Sequence, residues 1–225
     1  MTKTRADVVA PHRNGRGKGQ EAVAESLRQA IMANELAPGQ RLIEADLCEE
    51  YGTSRGTLRA ALTSLVAEGL VEHIANRGAR VRVVGLDEAL EIVDVRLALE
   101  ILCIRRAIPR LTDDHLARLR RFAEELTSRA AEHDITGYAD TTHAVFRFYV
   151  DIAGNGVAQE TLERLRDRLS RHRLRLTYRP GRAEVSLPYW LSLIDALCGR
   201  DIDAAVQALE DHAGNIRQSM ITLSR

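Results

Sequence analysis

Four side chains in a short stretch carry the plainest chemistry in this sequence: Ser54, Arg55, Thr57 and Arg59. They open the segment RGTLRAALTSLVA, in which Leu58, Ala61, Leu62 and Leu65 recur at helical spacing. One face of such a helix packs inward, leaving Arg55, Gly56, Thr57 and Arg59 on the other. Short polar groups and guanidinium groups on the first turn of a helix suit the major groove of duplex DNA. There Arg donates to guanine edges, and Thr meets a thymine methyl or a phosphate. Further along, Asn76, Arg77 and Gly78 form a turn between two alternating stretches. Val71, His73 and Ala75 lie on one side of that turn, and Val81 and Val83, with Arg80 and Arg82 between them, lie on the other. The alternation predicts a two-stranded hairpin with cations at its tip and on its solvent face.

The elements that must hold these groups follow in order. Glu44–Tyr51 (EADLCEEY) reads as two turns of helix, broken by Gly52 and Thr53. Ser54 then caps a second helix, Arg55–Ala67, and the hairpin closes the unit. Helix, turn, helix and basic hairpin in that sequence predict a winged helix-turn-helix.

The string 36–83 resembles the DNA-binding domain of the GntR superfamily of bacterial transcription regulators. The resemblance is carried by Pro38-Gly39, Leu42, Glu44, Ser54-Arg55, Leu58-Arg59, Ala61-Leu62, Glu68-Gly69-Leu70-Val71 and Arg77-Gly78, each at the family's spacing. It implies DNA contacts by Ser54, Arg55, Thr57 and Arg59 on the second helix and by Arg77 and Gly78 at the wing. Gly56 departs from the pattern, since the family more often has Thr there, and the departure removes one hydroxyl from the DNA-facing turn.

At 225 residues the chain is long enough for two domains, each with its own core. The expected division is a basic tail over 1–19, a DNA-binding domain over 20–85 and a helical domain over 86–225. Formal charge balances at 32 cations and 32 anions, so nucleic-acid binding depends on where the charge sits. In the tail, Lys3, Arg5, Arg13, Arg16 and Lys18 face Asp7 alone, which suits either an electrostatic arm or an unstructured terminus. No apolar run approaches the roughly 20 residues of a bilayer span, and the N-terminus lacks a signal-peptide core. A cytoplasmic protein is expected, with no membrane partner. Cys48, Cys103 and Cys198 are scattered, which excludes a zinc ribbon or CxxC motif and predicts core thiols.

Beyond Gly85 the periodicity is helical. Leu90, Val93, Leu97, Ile101 and Ile104 form a stripe along 86–108, which Pro109 ends. Five further helices are predicted over 113–131, 135–153, 158–178, 183–198 and 202–223. Six antiparallel helices make a bundle able to enclose a pocket, so the expected fold class is mainly α: a winged helix-turn-helix followed by an all-α six-helix bundle. This half resembles the FCD ligand-binding domain of the FadR subfamily of GntR regulators. It does so at Asp94, Arg96, Leu99, Glu100, Ala153-Gly154-Asn155, Ala196-Leu197, Asp201, Ala204-Ala205 and His212.

Many FCD domains hold a divalent metal with an Asp, a His four residues later on the same helix, and two further His. In this sequence those positions fall on Thr142, Phe146, Trp190 and His212. One imidazole cannot replace that donor set, so neither a metal nor another cofactor is expected. Asp140 and His143 are a substitute pair if the helix slips a turn; otherwise they sit on the solvated face beside Arg147. His212 is either a satisfied core histidine or a hydrogen-bond partner for a ligand. The resemblance places an effector pocket among Arg96, Thr142, Phe146, Trp190 and His212, with Tyr178 a further candidate. Arg96 is either paired with Glu100 or free to meet a carboxylate. In the run RLRDRLSRHRLRLTYR, Arg164, Arg168, Arg171 and Arg175 track one face, with Arg166 and Arg173 elsewhere. That face is a solvated surface or a subunit rim, unless Arg171, Arg175 or Tyr178 turns inward to an acidic effector.

These resemblances imply a homodimeric, effector-responsive transcription regulator, typically a repressor, that grips a palindromic double-stranded operator and answers to a small molecule such as a carboxylate. An enzyme would need a motif that is missing here: no GxSxG elbow, P-loop, HExxH or carboxylate pair is present. An effector-independent architectural protein is the alternative, and it predicts a filled bundle core.

Overall fold

The computed structural model describes residues 19–74 and 78–224. The basic stretch 1–18 and the wing tip 75–77, with Arg77, lie outside the described residues. The chain divides into two compact units, one ending at Val81 and the other beginning at Arg82.

The first unit contains α1 (Gln20–Met32), β1 (Arg41–Leu42), α2 (Glu44–Tyr51), α3 (Arg55–Ala67), β2 (Val71–Ile74) and β3 (Gly78–Val81). Val23, Leu27 and Ile31 on α1 and Leu58, Leu62 and Leu65 on α3 are buried in one core, as their spacing of three and four requires. Arg28 locks this packing, because its Nε and Nη2 donate to the two carboxylate oxygens of Glu68 at 2.8 and 2.7 Å. Between α2 and α3 the chain reverses at Gly52, whose φ of +61° is a left-handed cap that glycine adopts without strain.

The sheet is three-stranded and antiparallel, in the order β1-β3-β2, where two strands were expected. A two-residue strand has too little alternation to be seen in sequence. It forms because Arg41 and Leu42 are brought opposite Arg80 and Ala79. Val71, Ala79 and Val81 face the core, His73 is exposed, and Val83 lies beyond β3.

The second unit contains α4 (Leu86–Ala107), a 3-10 turn (Ile108–Arg110), α5 (Asp113–Ala131), α6 (Ile135–Ala153), α7 (Gly156–Arg168), α8 (Ser170–Thr177), α9 (Arg182–Cys198) and α10 (Ile202–Leu223). Thr112, Asp134, Asn155 and Asp201 cap α5, α6, α7 and α10, each accepting from the third backbone amide. Arg106 and Arg110 close the far end of α6 by donating to the Ala153 carbonyl at 3.1 and 2.7 Å. The core joins α4, α5, α6, α9 and α10 around a fully buried Tyr149.

One expected helix, 158–178, is two. The break falls at Leu169, which leaves helical geometry and buries its side chain with Val84, Ile92, Val93 and Met220 in a smaller core. Seven α-helices, not six, therefore make up this unit among the described residues.

Candidate functional site

The exposed turn of α3 is built by its cap. Ser54 Oγ accepts from the Thr57 amide at 3.2 Å and lies 2.9 Å from Thr57 Oγ1, so the two hydroxyls order the helix start together. Arg55 and Gly56 are exposed beside them, and the atom nearest a side chain added at Gly56 is Ser54 Oγ at 3.9 Å. Arg59 is 69% exposed yet engaged, since its Nε meets both carboxylate oxygens of Glu44 at 3.0 Å. Free amides, the positive end of the α3 dipole and two guanidinium groups share this surface, the combination that receives phosphates and base edges.

The hairpin cations are less free than the alternation suggested. Arg80 is paired with Glu72 across the strands at 2.6 Å, and Arg82 turns to Glu88 on α4 at 2.7 and 2.9 Å. Gly78 is exposed with φ of +82°. Arg41, exposed on β1 opposite Arg80, adds a cation that sequence reading missed, because the β1 pairing that places it there is non-local.

In the second unit a cavity of about 210 Å³ opens among α4, α6, α7, α8, α9 and α10. Arg96, Thr142, Phe146, Trp190 and His212 all line it. Tyr178 does not: it is 57% exposed at the end of α8, outside the lining. Arg171 and Arg175 also point outward, Arg175 donating to the Leu223 carbonyl. The guanidinium groups that do enter from this run are Arg166 and Arg173, joined by Arg182 from α9. Seven residues apart, Arg166 and Arg173 share the helix face opposite 164/168/171/175, so one set lines the cavity while Arg164, Arg171 and Arg175 are exposed.

Arg96 adopts the paired alternative. Its Nη2 lies 3.0 Å from Glu100 Oε1, Tyr149 donates to the other oxygen at 2.6 Å, and the guanidinium stands 5.4 Å from the Phe146 ring centre. This contact holds the Tyr149 hydroxyl protonated, its pKa raised by burial and by Glu100. Thr142 turns its hydroxyl back to the Ala139 carbonyl at 2.7 Å.

His143 and Asp140 part company. Asp140 is exposed, whereas His143 lines the cavity stacked on Phe146 at 6.1 Å, not on the solvated face. Burial, then Arg166 and Arg173, push its pKa down to about 4. His212 packs edge-on to Trp190 at 4.8 Å and stacks on Tyr189, and burial with Arg182 lowers it to about 3. Both rings are therefore neutral at pH 7. A hydroxyl, two aromatic rings and a single imidazole at the family's metal positions do not fit a divalent cation. Among the described residues no group of three His, Cys, Asp or Glu is placed to hold one.

Two contacts connect the cavity helices to the start of this unit. Arg168, two residues from Arg166, shares Glu88 with Arg82; His172, next to Arg173, donates from Nε2 to the Val84 carbonyl at 2.9 Å.

Among the described residues no helix is long and apolar enough to cross a membrane. Residues 20–81 match the family model for bacterial regulatory proteins of the gntR family, and residues 91–215 match the FCD domain. The chain is 29% identical over 199 residues to the HTH-type transcriptional regulator BphR of Paraburkholderia xenovorans (strain LB400), covering 85% of this chain and 81% of that protein. It is 31% identical over 153 residues to the HTH-type transcriptional repressor GlaR of Escherichia coli (strain K12), covering 65% and 69%. The solved structure of E. coli McbR/YncC superposes with a TM-score of 0.75 at 22% identity, covering 92% and 98%, a likeness of fold.

Proposed function

The chain belongs to the gntR family of bacterial regulatory proteins, with an FCD domain behind its DNA-binding unit, and from that premise we propose a cytoplasmic homodimeric repressor released by a small organic acid. The family is one of DNA-binding transcription regulators, not enzymes, and the FCD domain implies an effector. In the proposed reading, residues 20–85 bind a half-site of a palindromic operator and residues 86–225 bind effector and pair the subunits. Ser54, Arg55, Thr57 and Arg59 enter the major groove, with Arg77 and Gly78 at the backbone.

The observation that carries the acid effector is a cavity lined by Arg96, Arg166, Arg173 and Arg182 and closed by the apolar faces of Phe146 and Trp190. A filled core, which an architectural protein would have, is not what the bundle contains. The effector acts only if it binds the DNA-competent and DNA-released states unequally. The test is fluorescence anisotropy with an operator selected from a random duplex pool, titrated with small carboxylic acids. Release by an acid supports the reading. Tighter binding would make the acid a co-repressor, and no response to any acid would remove the acid from the proposal.

A further inference from the structure

Among the described residues, the lining of the cavity carries more positive charge than negative. Four guanidinium groups line it and one carboxylate, Glu100, which Arg96 and Tyr149 already use. Among the described residues neither Arg166 nor Arg173 forms a hydrogen bond or ion pair. The carboxylates that act on them through space, Asp167 and Glu163, stand outside the lining. Among the described residues the hydrogen-bond partners of Arg182 are neutral, the Asn215 amide and the Ser219 hydroxyl. The two imidazoles, held neutral, do not offset this excess.

Half-buried cations without a directly paired carboxylate oppose folding, and cations that face one another oppose it further. Burial first and Arg173 next bring the pKa of Arg166 down to about 10. Arg182 belongs to another part of the wall, near His212 and the hydrogen-bonded Tyr138 and Ser186. The positive charge thus has two centres with an apolar surface, including Leu97, Leu176 and Trp190, in the same cavity.

Resting on the reading of this cavity as the effector site, we propose that its ligand is a small organic dianion. One acid group sits between Arg166 and Arg173, the other meets Arg182, and a short apolar body joins them. Guanidinium forks match carboxylate oxygens in pairs, so each end is recognised by shape as well as by charge. A cavity of about 210 Å³ is smaller than the roughly 300–1,000 Å³ of drug-sized sites, which limits the body to a few carbons or one ring.

Calorimetry and thermal shift on the full chain test this with skeleton-matched pairs: butanoate and succinate, hexanoate and adipate, benzoate and phthalate. At least one dianion is expected to bind about tenfold or more tightly than its monoanion, as an added charge-assisted pair requires. Arg166→Gln and Arg173→Gln are each expected to erase that advantage. Both should raise the melting temperature of the unliganded protein, because an unbalanced cation is removed, and that rise also reports folding. Equal binding of mono- and dianions, an advantage that survives both substitutions, or a lowered unliganded melting temperature would overturn the dianion while sparing the acid effector. Failure of every acid to bind would overturn both.

Discussion

Arg55 and Arg59 stand four residues apart on one exposed turn, but they begin from different states. Arg55 is exposed, whereas Arg59 is paired with Glu44, which in the proposed reading it leaves to reach DNA. Arg55→Ala is therefore expected to cost about 1–3 kcal/mol of specific binding, measured at fixed salt on the selected operator. Glu44→Gln should strengthen binding and steepen its salt dependence by about one unit, because it frees a cation for a phosphate; an unchanged slope would keep Arg59 off the backbone. The two cavity imidazoles set a pH limit. His143 and His212 titrate near 4 and 3 in the fold but near 6.5 in the unfolded chain, which therefore binds more protons as pH falls. Stability unaffected by these groups above pH 6.5 is lost from about 6.5 toward 4, at no more than about 1.4 kcal/mol per pH unit for each ring. Melting curves at pH 7.5 and 5 should show a smaller fall for His143→Gln and for His212→Asn than for the unaltered protein.

At the scale of elements, the close of α6 and the corner between α7 and α8 decide most. Gly154 caps α6 with φ of +59°, and a Cβ there would lie 2.6 Å from Arg110 Nη1, the group that caps the same helix end. Gly154→Ala should cost about 1 kcal/mol or somewhat more, read from denaturant melts. The α7–α8 corner has its effect through register. Arg166 and Arg173 lie opposite the 164/168/171/175 stripe, and the burial of Leu169 at the corner turns their face to the cavity.

Across the molecule, the same two helices hold cavity-facing and segment-facing contacts at neighbouring positions. Arg166 and Arg173 face the cavity, while Arg168 reaches Glu88 and His172 reaches the Val84 carbonyl, at the stretch that directly follows the DNA-binding unit in sequence. A ligand that shifts α7 and α8 must therefore act on that stretch. Glu88→Gln is expected to leave operator affinity and ligand affinity within about threefold of the unaltered protein while reducing the ligand-induced loss of operator binding. A titration of each ligand in the presence and absence of the other measures this coupling. Full coupling in Glu88→Gln would place transmission elsewhere.

The sequence by itself determined the α2–turn–α3 order and the capping of α3, because capping, helical spacing and turn residues are local and Ser54, Leu58, Leu62 and Gly52 write them out. It also shows that the family's metal positions hold Thr142, Phe146 and Trp190, since donor identity needs no coordinates to count. What only the tertiary structure decided are the non-local matters: the β1 pairing that sets Arg41 against Arg80, the inward turn of His143, the exclusion of Tyr178 and the entry of Arg166, Arg173 and Arg182 into the cavity. Periodicity reports which residues share a helix face, but not where a helix breaks or which face its neighbours cover. At Leu169 it is packing against Val93 and Met220, far away in the chain, that fixes both.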